Sequence, residues 1–147
     1  MYTKKGFHEV NTCAIQEIWK YLLINMLPLI LLGLVVLSVA IYALITKSFK
    51  TIYAIGLIVL AIFIIAYSAT ELLLFKIDID NQSFAEYQGT FEYARVLGNR
   101  RDQIHLTDEP KTWIRSVAFF DLDSGERSGS ILYGKHSRWV IDIQTLP

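Results

Sequence analysis

Few side chains in this chain are typed and spaced for chemistry. Asp78 and Asp80 stand two apart in the run FKIDID. On a strand that spacing puts both carboxylates on one face, where one could serve as acid and the other as base. They also directly follow a long apolar run and precede a turn-forming stretch, where solvated acids are ordinary. His8, His105 and His136 are far apart and lack the HxxxH or HExxH spacing that a metal requires, so they read as surface or turn histidines. Asp121, Asp123 and Glu126 in DLDSGE begin like a calcium loop. The third acid and the distant bidentate glutamate are missing, and a DSG turn accounts for them better. The single cysteine, Cys13, excludes an internal disulfide and a cysteine zinc cage. It could carry a palmitoyl group, but it reads as a small apolar residue beside the membrane. With no GxSxG, phosphate loop or Cys–His pair, the expectation is a protein that is not an enzyme and needs no metal or cofactor. The alternative is a membrane-tethered hydrolase or transferase with an acidic site that no motif announces.

Binding is the chemistry that remains. Arg95, Arg100 and Arg101 cluster around the segment LGNRRD, and Lys135 and Arg138 flank the last hairpin. Tyr87, Tyr93, Tyr133 and Trp139 are near them in sequence, so an aromatic and basic patch could form. Such patches bind single-stranded nucleic acid. Residues 76–147, however, carry nine Lys or Arg against eleven Asp or Glu, and that net negative charge argues against nucleic acid. A protein partner or anionic lipid headgroups are the expected ligands of Arg95, Arg100, Arg101, Lys135 and Arg138. The competing account places the aromatics in the core and leaves the arginines solvated.

The segments that must position these residues are of two kinds. The chain is 53% hydrophobic and only 19% charged, where soluble domains sit nearer 25% charged. The excess is concentrated. Tyr21–Ile45 is 25 residues without an ionisable side chain, about 37 Å of helix and enough to cross a hydrocarbon core of roughly 30 Å. Ile52–Ala69 is a second uncharged run, extended by Leu72–Phe75 past Glu71. The first run is about twice as long as the apolar region of a signal peptide, and no small-x-small cleavage site followed by polar sequence lies beyond it, so it is expected to be retained.

Thr46–Thr51 leaves six residues between the runs, which dictates a tight antiparallel hairpin with both termini on one side. Counting from the turn, Asn25 and Glu71 fall at nearly the same depth, where they could form an intramembrane polar pair, although Glu71 is also close enough to the interface to reach water. Pro28 predicts a kink in the first helix. Gly33 and Gly56 could mark close helix contact, and Ala40, Ala43, Ala54 and Ala61 offer small packing surfaces. Lys4, Lys5, Lys20 and Lys76 outnumber Lys47 and Lys50, which favours the termini on the cytoplasmic face.

Residues 1–20 read as an amphipathic segment on the membrane surface. Asn11 or Thr12 could cap its helix, Ile15, Ile18, Trp19 and Leu22 share a face, and Trp19, Lys20 and Tyr21 form an interfacial anchor.

From Phe75 the pattern alternates, predicting a strand Phe75–Asp80, a turn at Asp80–Ser83, and then a small all-β domain over 76–147. Phe84–Val96 is its long strand, with a bulge or bend at Gly89. Leu97–Asp102 is a loop, and Gln103–Leu106, Trp113–Leu122, Ser130–Tyr133 and Arg138–Ile143 are further strands. Phe75, Ile77, Phe84, Tyr87, Phe91, Ile104, Trp113, Phe119, Ile131, Trp139 and Ile141 are the candidate core. Short strands in about 72 residues hide their edges most economically in an OB-like or SH3-like barrel. A two-transmembrane-helix hairpin followed by a small OB-like domain is similar in plan to the NfeD-type membrane proteins. The similarity is architectural, and no motif transfers residues or activity.

Overall fold

A computed structural model describes residues 10–96, 101–109, 113–117, 120 and 122–146. Two helices, α1 (Thr12–Thr46) and α2 (Thr51–Asp80), precede five strands: β1 (Phe84–Ala94), β2 (Arg101–Leu106), β3 (Trp113–Val117), β4 (Gly125–Gly134) and β5 (Val140–Thr145). The chain forms two compact units. One is Leu22–Lys76, and the other takes the beginning of α1, through Tyr21, together with the β strands.

Asn11 starts α1. Its side-chain oxygen accepts the amide of Ala14 at 3.2 Å, satisfying one of the donors that a helix start leaves orphaned. Pro28 lies inside the helix without ending it. Lys47 closes α1 in the left-handed region, at φ 55°, while the amide of Ser48 reaches back to the carbonyl of Ala43 at 3.1 Å. This is the Schellman arrangement.

Within the helical unit, Ala40, Ala43, Ala54 and Ala61 are buried as their small size predicts. Gly33 is a true close approach, because a Cβ there would meet the Ile65 side chain at 2.6 Å. Gly56 is not, having nothing within 4 Å of such a Cβ. Both helices are long and apolar enough to cross a membrane, and only 17% of the most apolar window of each is buried inside the molecule. Most of their apolar surface is therefore uncovered within the described residues.

The expected strand over Phe75–Asp80 is instead the last turns of α2. Its apolar and polar residues do alternate, yet the buried positions Ser68, Glu71, Phe75 and Asp78 follow the three-to-four spacing of one helix face. Two of the four stripe residues are acids, which disguised the period. Another Schellman closure then ends the helix. Ser83 donates to the carbonyl of Asp78 at 2.9 Å and Gln82 to that of Ile79 at 3.3 Å, with Gln82 at φ 49°.

The strands form one antiparallel sheet in the order β3-β2-β1-β4-β5. The sheet curls until its edges touch. The amide of Arg115 on β3 donates to the carbonyl of Arg138 at 2.9 Å, and a single parallel bridge joins Arg115 to Trp139 just ahead of β5. Inside the curl, Tyr87, Phe91, Tyr93, Ile104, Leu106, Ile114, Ile131 and Val140 make the core, with Phe120, Leu122, Tyr133 and Ile143 against it.

Three expectations about this sheet change. First, β1 pairs with β4 without interruption through Gly89 opposite Gly129, and the irregularity lies at Leu132/Tyr133 opposite β5. Gly89 serves another purpose, since a Cβ there would lie 2.7 Å from the Tyr87 hydroxyl, which donates to the carbonyl of Thr90. Second, Arg101 and Asp102 belong to strand β2 rather than to the loop, and β4 begins at Gly125 rather than Ser130. Third, Trp113 is 54% exposed and not in the core. Phe119 lies outside the described residues.

Candidate functional site

Asp78 gathers several hydrogen bonds from one turn of the β unit. Its carboxylate is fully buried and accepts the backbone amides of Ser137 at 2.7 Å and His136 at 3.1 Å. The Nδ1 of His136 lies 2.7 Å away, so a proton on that nitrogen donates to the carboxylate. Burial pushes the Asp78 carboxyl up, but the hydrogen bonds from Ser137 and His136 outweigh it and hold the pKa below 3.8. Asp78 follows the apolar run, which ends at Phe75. The turn that wraps it leaves no room for a side chain at Gly134, where a Cβ would collide with Asp78 Oδ2 and Ser137 Oγ. Asp80 is exposed at the helix end. The expected one-face pair of carboxylates on a strand is therefore replaced by a carboxylate–imidazole pair.

The same turn carries two of the cations singled out by sequence. Lys135 and Arg138 are exposed, and Arg138 sits at φ 58°, a conformation glycine adopts more easily than arginine. Its amide donates to the carbonyl of Gly134 at 3.0 Å. Trp139 follows, 1% exposed, with the Tyr21 ring 5.4 Å from its own. The Arg115 guanidinium carbon is 5.8 Å from its ring centroid, within cation–π range. The Trp139 indole Nε1 is buried without an acceptor.

On the far side of Arg115, β2 and β3 present a strip that sequence reading did not assemble. His105 pairs with Trp113, and Gln103 with Arg115. The His105 and Trp113 rings lie 5.1 Å apart. Gln103 in turn faces Ala94 on β1, the neighbour of Arg95. The segment after β1 is pinned on both flanks. Arg95 donates its amide to Ser124 Oγ at 3.0 Å, and Val96 donates to Asp102 Oδ1 at 3.3 Å. Asp102 is itself buried and also accepts the Tyr93 hydroxyl. Burial first, and then that carboxylate, push the Tyr93 phenol well above its ordinary 10.

Of the five expected partner-binding residues, then, Arg95, Lys135 and Arg138 are exposed. Arg101 opens β2 with its side chain outside the described residues, and Arg100 lies outside them altogether. The curl of the sheet makes the two basic segments border one strip, through Arg138, Arg115, Gln103 and Ala94. Trp113, His105 and Arg115 were missed because nothing in sequence shows that a tryptophan faces outward. Asn25 is exposed on α1, and Glu71 is buried on α2.

A groove of about 430 Å³ crosses β1, β4 and β5, lined by uncharged side chains including Gln88, Thr90, Ser128, Ser130 and Gln144. It offers hydrogen bonding but no acid–base chemistry. Among the described residues no three His, Cys, Asp or Glu side chains gather as a metal site. Compared with known protein families, characterised proteins and solved structures, the chain has no match.

Proposed function

We propose that this protein is a two-span, membrane-anchored binding module without enzymatic activity. Its β domain is an OB-like barrel that engages an acidic protein partner at the membrane surface. The barrel identity draws on the order in which the edges meet. Going round the curl the strands run β1, β2, β3, β5, β4, with β3 parallel to the chain entering β5, which fits a five-stranded, partly open barrel. Only residues 81–83 separate the end of α2 at Asp80 from the start of β1 at Phe84. The lysine count favours the cytoplasmic face for the β domain.

One observation carries the binding role. Trp113 holds an indole 54% exposed on a strand, tilted against the His105 ring at 5.1 Å, with Arg115 two residues along the same strand. Tryptophan and arginine are the side chains that dominate protein interfaces, and the cationic border selects an acidic partner. The decisive experiment compares partner recovery from detergent-solubilised membranes for the wild type and for Trp113→Ala. Loss of a stoichiometric partner from a folded variant supports the proposal, and equal recovery refutes it. Anchoring is tested with cysteines at Ser48 and Ser128, which should react with an impermeant thiol reagent from opposite sides of the membrane.

The Asp78–His136 pair favours a second reading. With Nδ1 turned to the carboxylate, Nε2 is the nitrogen left to act as a base, as in a tethered hydrolase. Saturable turnover that His136→Gln abolishes would favour that reading over the binding module.

A further inference from the structure

Arg138 borders the strip proposed for the acidic partner, but Lys135 and His136 on the same β4–β5 turn are not used by it. We infer that Lys135, His136 and Arg138 form a headgroup site for an anionic phospholipid, an inference that rests on the membrane anchoring proposed above. The first argument is placement. The turn grips Asp78, three residues and about 4.5 Å of helix beyond the end of the apolar run at Phe75. Trp139, which ends the turn, packs its ring against Tyr21, where the apolar run of α1 begins. Both flanks of the turn are thus tied to residues at the rim of a span, the level of lipid phosphates and of interfacial tyrosine and tryptophan.

The second argument is charge. Lys135, His136 and Arg138 are exposed. Among the described residues no carboxylate forms an ion pair with Lys135 or Arg138. Glu109 and Arg138 both act on the Tyr133 phenol, and the turn's two cations outnumber that one carboxylate. Asp78 is buried and saturated by the turn's own donors, Glu17 pairs with Lys20 at 3.9 Å, and Asp80 ends the helix in the exposed region. A fixed cationic turn at phosphate level attracts anionic headgroups.

The third argument is conformational. Arg138 occupies φ 58°, where glycine would be at ease. A guanidinium is kept there against the backbone's preference, so glycine can replace it with the turn intact and isolate the contribution of the side chain.

The test uses the full chain purified in detergent and placed in nanodiscs of phosphatidylcholine alone or mixed with phosphatidylglycerol. Lipids retained on release are then counted by native mass spectrometry. The wild type should retain phosphatidylglycerol preferentially. The Lys135→Gln, Arg138→Gly double variant, whose turn keeps its conformation because glycine suits it, should lose roughly 25-fold in that preference, about fivefold for each cation. Equal preference in both proteins overturns the inference. So does displacement of the lipid by excess inorganic phosphate, which would reassign the turn to free phosphate. Loss of an acidic protein partner with lipid retention intact would also overturn it. Release of the wild type from membranes by an alkaline carbonate wash would instead refute the anchoring on which the inference stands.

Discussion

The Nδ1 of His136 lies 2.7 Å from Oδ1 of Asp78, across 58 positions of sequence. This contact joins the last turn of α2 to the β4–β5 turn through one buried carboxylate, which also accepts two backbone amides. Replacing Asp78 with Ala leaves those amides without an acceptor in a site closed to water. The β domain should lose roughly 3–5 kcal/mol. His136→Ala keeps both amide bonds and removes a half-exposed ring, so it should cost only about 1 kcal/mol. Chemical denaturation monitored by β circular dichroism separates the two variants, and equal losses would show that the imidazole rather than the amides holds the turn.

Stability should fall at both ends of the pH scale for different reasons. Asp78 has a folded pKa below its unfolded 3.8. The stability it supplies is therefore complete above that value and is lost as pH drops through the lower folded one. Tyr93 has a folded pKa above its unfolded 10.0. Its share is complete below pH 10 and is lost as pH rises beyond it. Melts of the wild type should show an acid decline below about pH 4 that Asp78→Asn abolishes, and an alkaline decline above about pH 10 that Tyr93→Phe abolishes.

Trp113 and Trp139 should behave oppositely. Trp139→Ala empties a buried site and should cost roughly 3–5 kcal/mol. Trp113→Ala removes an outward indole, should move stability by no more than about 0.5 kcal/mol, and should abolish partner recovery. The Arg100→Glu, Arg101→Glu double variant should likewise weaken association with the melting temperature nearly unchanged. Thermal melts run beside pull-downs give both readings.

Arg138→Gly relieves a left-handed arginine, a gain of about 1–2 kcal/mol, offset by the greater freedom of glycine in the unfolded chain, about 0.5–1 kcal/mol. The net expectation is a domain more stable by roughly 0.5 kcal/mol. A clear loss of stability in urea titration would mean that the arginine side chain, rather than the backbone, holds the turn.

What sequence determined was whatever depends on neighbours along the chain. The uncharged runs set two long apolar helices, Asn11 or Thr12 marked where the first begins, and the alanines marked where small residues pack, while only one of the two candidate glycines, Gly33, proved a close approach. Alternation and turn residues announced a β domain with β1 as its long strand. Tertiary structure decided the rest, because it depends on residues that meet only after the chain has curled. FKIDID has the same alternation in a strand or in a helix, and it became helix because Asp78 continues the stripe of Ser68, Glu71 and Phe75 and finds its donors on a turn far downstream. Trp113 and Trp139 have similar surroundings in sequence. Both lie outside the core of the curl, next to the inward-facing Ile114 and Val140, but Trp139 is covered by Tyr21 and Arg115 whereas Trp113 is left 54% exposed.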